Sequence, residues 1–534
     1  MTLSFVSCGT SDKARLKDSR DAFLLGDDAK SEAALYTPEV FENQQNRLLH
    51  FYFLASLGMS EGQYEKAAYY LNKARDTAIS VRSASGSFEW FSADYRSNPI
   101  EYSYLHYMLV MSYSLLAEQG ATKAWTTPEI KDQKGNVLVQ SQNFPERQYS
   151  AREIADYRQK ARAELRAWDT HLQDLKRTYP NDDFYKEDLW ARMLASFIHA
   201  SSGQNNEKRT GELLVDDATK VFANEFSLYP SKKTNQAEMD SLLTKLRKRA
   251  QGKGDASSLF VLEAGVMSPY KIKRFHLGLS TLCGQIKDPG LRSLIEQVGI
   301  NVLINTAPEF GLIAFAGGVA GAISGSDDDS EFDGPPQFFS DAIDRSFGFE
   351  VRFPTLRLPP EDTQIKLQLL SKEGKALPEM RLPVVSPLQE MLSVELRERE
   401  GKEMFARAIR IGSQYLSVLV PAVIAYRKAD RDGSAFAKIA VVAGYYFSKK
   451  IIDRANEPDL RSWTYLPKLI AADVLDVKPG VYDAKITIDN SFGKYEKALG
   501  KMTVGDPHLP ILYQRVGDVP ILNKTISNST IPLR

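Results

Sequence analysis

Apolar positions in the first half of the chain recur every three or four residues, the period of a helix buried on one side. The clearest run is 51–74, FYFLASLGMSEGQYEKAAYYLNKA. Phe51, Leu54, Ala55 and Gly58 share a face of one helix, Gly62 sits at a turn, and Tyr64, Ala67, Leu71 and Ala74 share a face of a second. Small residues let the two helices approach, and large ones fill the gap to a neighbouring pair. The same spacing returns in 101–119, through Tyr102, Leu105, Leu109, Tyr113 and Leu116. It returns again at Trp190, Met193, Leu194 and Phe197, with Ala218 and Phe222 on a partner helix; Pro180 and Pro230 bracket that unit. One interruption, 126–149, places alternating Val137 and Val139 after Lys134-Gly135 and predicts an inserted β-hairpin.

Beyond about residue 251 the period changes to two. Strands are expected over 258–263, 270–279, 348–358, 363–370, 377–385, 469–477 and 481–488, with Pro479-Gly480 as a type II turn between the last two. Apolar helical stretches interrupt them at about 290–325 and 388–453. The expected fold class is α+β: an N-terminal all-α, tetratricopeptide-like helical repeat domain (38–250), then a β-rich domain with inserted apolar helices (251–534). Residues 1–37 read as a signal remnant and tether.

The 51–74 hairpin resembles a tetratricopeptide repeat, and surfaces built from such repeats bind other proteins. Two further stretches resemble motifs of an uncharacterised family of bacterial tetratricopeptide-repeat lipoproteins of the cell envelope. One is SLFVLEAGVMSPYK (258–271), with Glu263, Gly265, Pro269 and Lys271 in the motif places. The other is DLRSWTYLP (459–467), with Asp459, Arg461, Trp463 and Pro467, followed by Lys478-Pro479-Gly480. The resemblance implies an envelope lipoprotein and supplies no catalytic residue. Read physically, Trp463 and Leu466 are core plugs at a strand start, and Arg461 is a partner for Asp459 or Asp473.

Composition narrows the function classes. The chain has 534 residues, room for roughly three domains, with Lys+Arg and Asp+Glu both at 68. A zero balance lacks the electrostatic footprint of a nucleic-acid binder, and the basic run at 245–253 reads as a solvated helix end. The opening MTLSFVSCGT places Cys8 after a short apolar run and a small residue, as at the end of a bacterial lipoprotein signal. Acylation of Cys8 is the expectation, and an incidental cysteine in a cytoplasmic N-terminus is the alternative. Cys283 reads as a small core residue.

Catalytic chemistry is not evident. The histidines have no metal-ligand spacing, and no HExxH, CxxC, G-x-S-x-G or Walker loop occurs. Asp329, Glu331, Asp333 and Gly334 make half a calcium loop, but Ser340 stands where the bidentate acid belongs. No metal and no cofactor are expected. Gly317, Gly321 and Gly325 line one helix face at the spacing that allows close helix contact.

The expected function is that of a non-catalytic, lipid-anchored scaffold on the periplasmic face of the outer membrane. It would bind an envelope protein through aromatics of the inner helices, with Tyr102, His106 and Tyr113 as candidates, and homo-oligomers are compatible. Alternatives are a membrane-active or self-assembling protein using the glycine-spaced helix, and a cell-wall hydrolase or other envelope enzyme.

Overall fold

A computed structural model describes residues 11–83, 94–178, 185–202, 204–224, 226, 229, 231–253, 257–277, 349–358, 360, 362–506 and 510–523. Cys8, Cys283, the acidic loop at 329–334, and Gly317, Gly321 and Gly325 lie outside the described residues, as does the apolar stretch at 290–325. The chain is mixed helix and strand, of α+β class, with a helical N-terminal region. It divides into two compact units. Unit 1 takes Met1–Tyr270, Leu356–Leu396 and Arg461–Arg534; unit 2 takes Lys271–Thr355 and Arg397–Leu460. The boundary expected at 250–251 therefore falls inside unit 1.

Unit 1 begins with short helices α1 (Ser11–Leu24), α2 (Asp28–Leu35) and α3 (Pro38–Glu42); where a tether was expected, Leu16, Phe23 and Leu35 of the first two join the core. The hairpin of α4 (Arg47–Ser60) and α5 (Tyr64–Ser83) then follows the spacing read above. Gly62 holds φ at +68°, which L side chains rarely adopt. At Gly58 an added Cβ would stand 2.9 Å from the backbone nitrogen of Ala67, so a glycine there sets how closely the helices cross. Leu54, Ala55, Ala67, Leu71 and Ala74 are fully buried, while Phe51 and Tyr64 are partly so.

Helix α6 (Pro99–Gln119) starts at a capping box, Asn98 with Glu101, and ends at left-handed Gly120. One apolar face was expected, yet every residue from Pro99 to Ala117 is buried. The helix is covered on several sides at once, by α5, by α7 (Ala151–Thr178) and by a strand of the sheet below. Between α6 and α7 the chain forms a ribbon of three short antiparallel pairs: β1 (Ala121–Thr122) with β6 (Arg147–Gln148), β2 (Trp125–Thr127) with β5 (Gln142–Phe144), and β3 (Ile130–Lys131) with β4 (Val137–Val139). The hairpin expected at Val137 and Val139 is its tip. Trp125 stacks on Phe144 at 3.8 Å and 4°. Helices α8 (Leu189–Ala200), α9 (Asn205–Asn224) and α10 (Lys232–Ala250) complete the layer.

The β part of unit 1 is two four-stranded sheets. One has the order β12 (Val384–Ser386), β13 (Leu469–Leu475), β7 (Ser258–Ala264), β16 (Ile511–Val516). The other has the order β11 (Met380–Leu382), β10 (Gln364–Leu370), β14 (Gly480–Asn490), β15 (Gly493–Val504). Alternate residues of β7 serve different cores. Phe260, Leu262 and Ala264 pack with Ile365, Leu367, Ile486 and Ile488 of the second sheet. Leu259 and Val261 join the core of the helical layer. A strand buried on both faces reads as a continuous apolar run, as SLFVLEA and LIAADVL do.

Two expectations change here. The strand expected over 377–385 breaks at Pro383 into β11 and β12, which belong to different sheets. The link between β13 and β14 is likewise not a hairpin turn, because those strands also belong to different sheets. Gly480 is absent from the positive-φ glycines and so lacks the φ that a type II turn demands of it. Pro479 packs instead beneath Gly505, where a Cβ would approach it to 2.8 Å.

Unit 2 holds the antiparallel pair β8 (Lys271–Leu277) and β9 (Phe349–Thr355), most of helix α11 (Leu388–Arg431), and α12 (Ala435–Ala455). Phe349, Val351, Phe353, Ile411, Tyr415, Leu419, Val423, Tyr426 and Tyr445 form its own core. The final short helix, α13 (Pro520–Asn523), returns to unit 1.

Candidate functional site

The sequence motifs converge on one seam in unit 1, where the helical layer meets the sheet. Trp463 is fully buried and stacks on Tyr52 at 3.9 Å and 1°. Its indole Nε1 donates to Ser56 Oγ (3.0 Å) and its backbone N–H to Glu101 Oε1 (2.8 Å). Tyr465 Oη lies 2.6 Å from Ser19 Oγ and 2.5 Å from Ser31 Oγ. Arg461 donates to Asn46 Oδ1 at 2.9 Å. Asp473, expected as a partner for Arg461, instead accepts from Lys245 of α10 (2.6 Å). The basic run at 245–253 is thus partly turned inward: Arg249 is 7% exposed, above the Phe197 ring.

Glu263 is fully buried and pairs with Arg515 at 3.1 Å, its register partner on the parallel strand β16. The phenols of Tyr104, Tyr107 and Tyr513 are buried and feel the Glu263 charge; burial first, then that charge, pushes each well above the ordinary tyrosine range. Gly265, at φ +72°, brings the backbone against Leu522 and Lys468. Lys468 is itself buried, and its pKa falls to about 8, chiefly through burial and then through the like charges of Arg20 and Arg357. Pro467 is buried, Asp459 and Gly480 are half-buried, and Pro269 is exposed. Glu263, Gly265, Arg461, Trp463 and Pro467 all lie in unit 1, where they join strands to helices.

The aromatics expected to meet a partner are not exposed. Tyr102, His106 and Tyr113 are 7%, 3% and 9% exposed, because α7 lies over them. His106 Nδ1 meets Glu164 Oε1 of α7 at 2.5 Å, and Arg75 donates to Glu164 Oε2 at 2.8 Å. Tyr102 packs edge-on against both His106 and His171. His50 is enclosed by Phe41 and Phe51, and burial, then Arg47, lowers its pKa to about 3. Among the described residues no three His, Cys, Asp or Glu side chains are placed to hold a metal ion.

Unit 2 holds the apolar stretches 415–426 and 435–447, whose composition fits a buried helical cluster and membrane contact alike. The 406–431 part of α11 is the one described helix long and apolar enough to cross a membrane, at mean hydropathy 1.5. Its apolar residues Ile411, Tyr415, Leu419 and Val423 are nevertheless buried, and Arg410, Ser413, Gln414 and Ser417 are exposed. Ile409 and Ile424 of the same helix are exposed, and α12 exposes larger apolar residues along one face. Tyr445 turns inward, while Phe436 is 82% exposed, Phe447 69% and Ile451 54%. Ala440, Ala443 and Gly444 share that outer face. The signal was legible as the 4-3-4-4 spacing of 436, 440, 443, 447 and 451, but periodicity cannot say which face of a helix is covered.

No protein family, curated protein sequence or solved structure matches the chain.

Proposed function

We propose that the protein works without catalysis at a membrane surface, with unit 2 as its membrane-contacting part and unit 1 as the body. One observation carries this reading: the outer face of α12, where Phe436, Ile439, Phe447 and Ile451 are all exposed. Large apolar residues scattered singly on a surface need no explanation, but several along one helix face mark an interaction site. A helix lying in the interface buries such a face among lipid headgroups and acyl chains. The expected acylation of Cys8 supports the same location, as a second and independent membrane signal.

The helical layer is read as tetratricopeptide-like on two pairs, α4 with α5 and α8 with α9. In each, a glycine permits the crossing: Gly58 against Ala67, and Gly211 against Ser196 and Ala200. Its role here is the bracing of the sheet. Tyr102, His106 and Tyr113 are buried, which removes the support for capture of an envelope protein through them.

The test is flotation of the full chain, carrying Cys8→Ser to remove any acyl anchor, with vesicles of mixed phosphatidylcholine and phosphatidylglycerol. Wild-type α12 should float with lipid, and Phe436→Ser/Phe447→Ser should stay at the bottom with unchanged circular dichroism. Equal flotation of both proteins would refute the assignment to α12.

A further inference from the structure

Cations surround the exposed face of α12 in a definite arrangement. Between residues 406 and 455 nine lysines and arginines stand against three aspartates, in a chain whose totals are equal. At the turn before α12, Arg427, Lys428 and Arg431 are exposed; near its C-terminus, Lys450 and Arg454 are exposed. None of these five has an ion-pair partner among the described residues. Of the two cations between the groups, Lys438 is paired with Asp430 and Lys449 is half-buried over the Tyr415 ring. What remains from 436 to 447 is an apolar strip about 17 Å long at the helical rise, with two unpaired basic clusters at its ends.

We infer that unit 2 recognises an anionic lipid headgroup surface, with α12 lying in the plane of the interface. This rests on the membrane reading above and adds the chemical class of lipid. Three features carry it. Arg454 and Lys450 lie on the same outward face as Phe447 and Ile451, so apolar and charged contacts are made together rather than on opposite sides. Both clusters are exposed, so they need not give up an internal partner on docking. The strip is too short to span the roughly 30 Å hydrocarbon core, whereas an in-plane helix with flanking lysines and arginines keeps its charges among phosphates while the aromatics enter the acyl boundary. An electroneutral protein gains no long-range attraction to an anionic membrane from its total charge, so a local excess has to supply it.

The experiment uses the full chain with Cys8→Ser, and vesicles in which phosphatidylglycerol replaces phosphatidylcholine in steps from none to half. Binding is expected to rise steeply with the anionic fraction and to fall with added salt. Lys450→Gln/Arg454→Gln should weaken binding to the anionic vesicles by about 25-fold, at about fivefold per cation, and leave the residual binding to neutral vesicles unchanged. Binding that is equally tight on pure phosphatidylcholine overturns the anionic assignment while leaving membrane contact standing. Absence of binding to every vesicle overturns the membrane reading itself. A wild-type dimer in sedimentation that Phe447→Ser converts to monomer, with no vesicle binding, would identify the occupant of the face as a second copy and overturn both.

Discussion

Glu101 joins three elements through one carboxylate. Tyr95 Oη (2.7 Å) and Asn98 N–H (3.0 Å) donate to Oε2, and Trp463 N–H donates to Oε1. Burial raises its pKa to about 7; those donors pull it back, and Glu395 pushes it up further. The folded state therefore favours the protonated acid, with its ordinary value of 4.5 in the unfolded chain. The contribution of Glu101 to stability is greatest below about pH 4.5, declines as pH rises through about 7, and is flat above. The decline amounts to about 3 kcal/mol. His50 runs the other way: its depressed pKa gives stability that is lost as pH falls from its ordinary 6.5 toward about 3. The two overlap, so the measurement is a difference. Urea midpoints of wild type minus Glu101→Gln, taken from pH 4 to 8, should isolate the Glu101 slope. A difference independent of pH would contradict the assignment. Trp463→Ala should cost about 3–5 kcal/mol in the same assay, because it removes a stacked ring and orphans Ser56 together.

Among elements, the α4–α5 hairpin was legible from residues 51–74 alone, because small residues and a turn glycine leave a helix pair few alternatives. Gly58→Val tests it. The new side chain must displace the backbone of Ala67 on α5, so the helix crossing opens, and a loss of about 1–3 kcal/mol is expected in thermal or urea unfolding. An unchanged midpoint would mean that the helices do not cross at this glycine. Other elements were legible as elements but not as partners. β13 and β14 were each located, yet their placement in separate sheets depends on which strands of distant sequence were free to pair. β11 and β12 looked like one strand because Pro383 was read as part of the run rather than as the point of exchange between sheets. Helix α6 looked amphipathic because the small and polar residues between its apolar positions, Ser103, Ser112 and Ser114 among them, are compatible with exposure and with burial alike.

At the scale of the molecule, the chain leaves unit 1 after Tyr270 and after Leu396 and returns at Leu356 and Arg461. The strands at the centre of unit 1, β7 and β13, are buried on both faces, whereas α12 carries an open face. Backbone amides of 259–263 and 470–474 should therefore exchange with solvent most slowly, near the rate set by global unfolding, and those of 436–447 should exchange by smaller openings at lower free energy. Hydrogen exchange followed by mass spectrometry checks this. Protection of 436–447 equal to that of β7 in the lipid-free protein would show that something already covers α12. Addition of anionic vesicles should raise protection in 436–447 and leave 259–263 unchanged.

Local periodicity and turn chemistry determined the helical N-terminal region, most strand positions and the inserted ribbon, because these depend on neighbours within one or two turns of chain. The sequence also located the Trp463 and Glu263 motifs, though not their role. Only the tertiary structure decided that Glu263 meets Arg515, that Trp463 meets Tyr52 and Glu101, and that the aromatics of α6 are sealed by α7. Each of these is a contact between residues tens or hundreds of positions apart. Burial of a given face is a property of what packs against it, which no short-range pattern records.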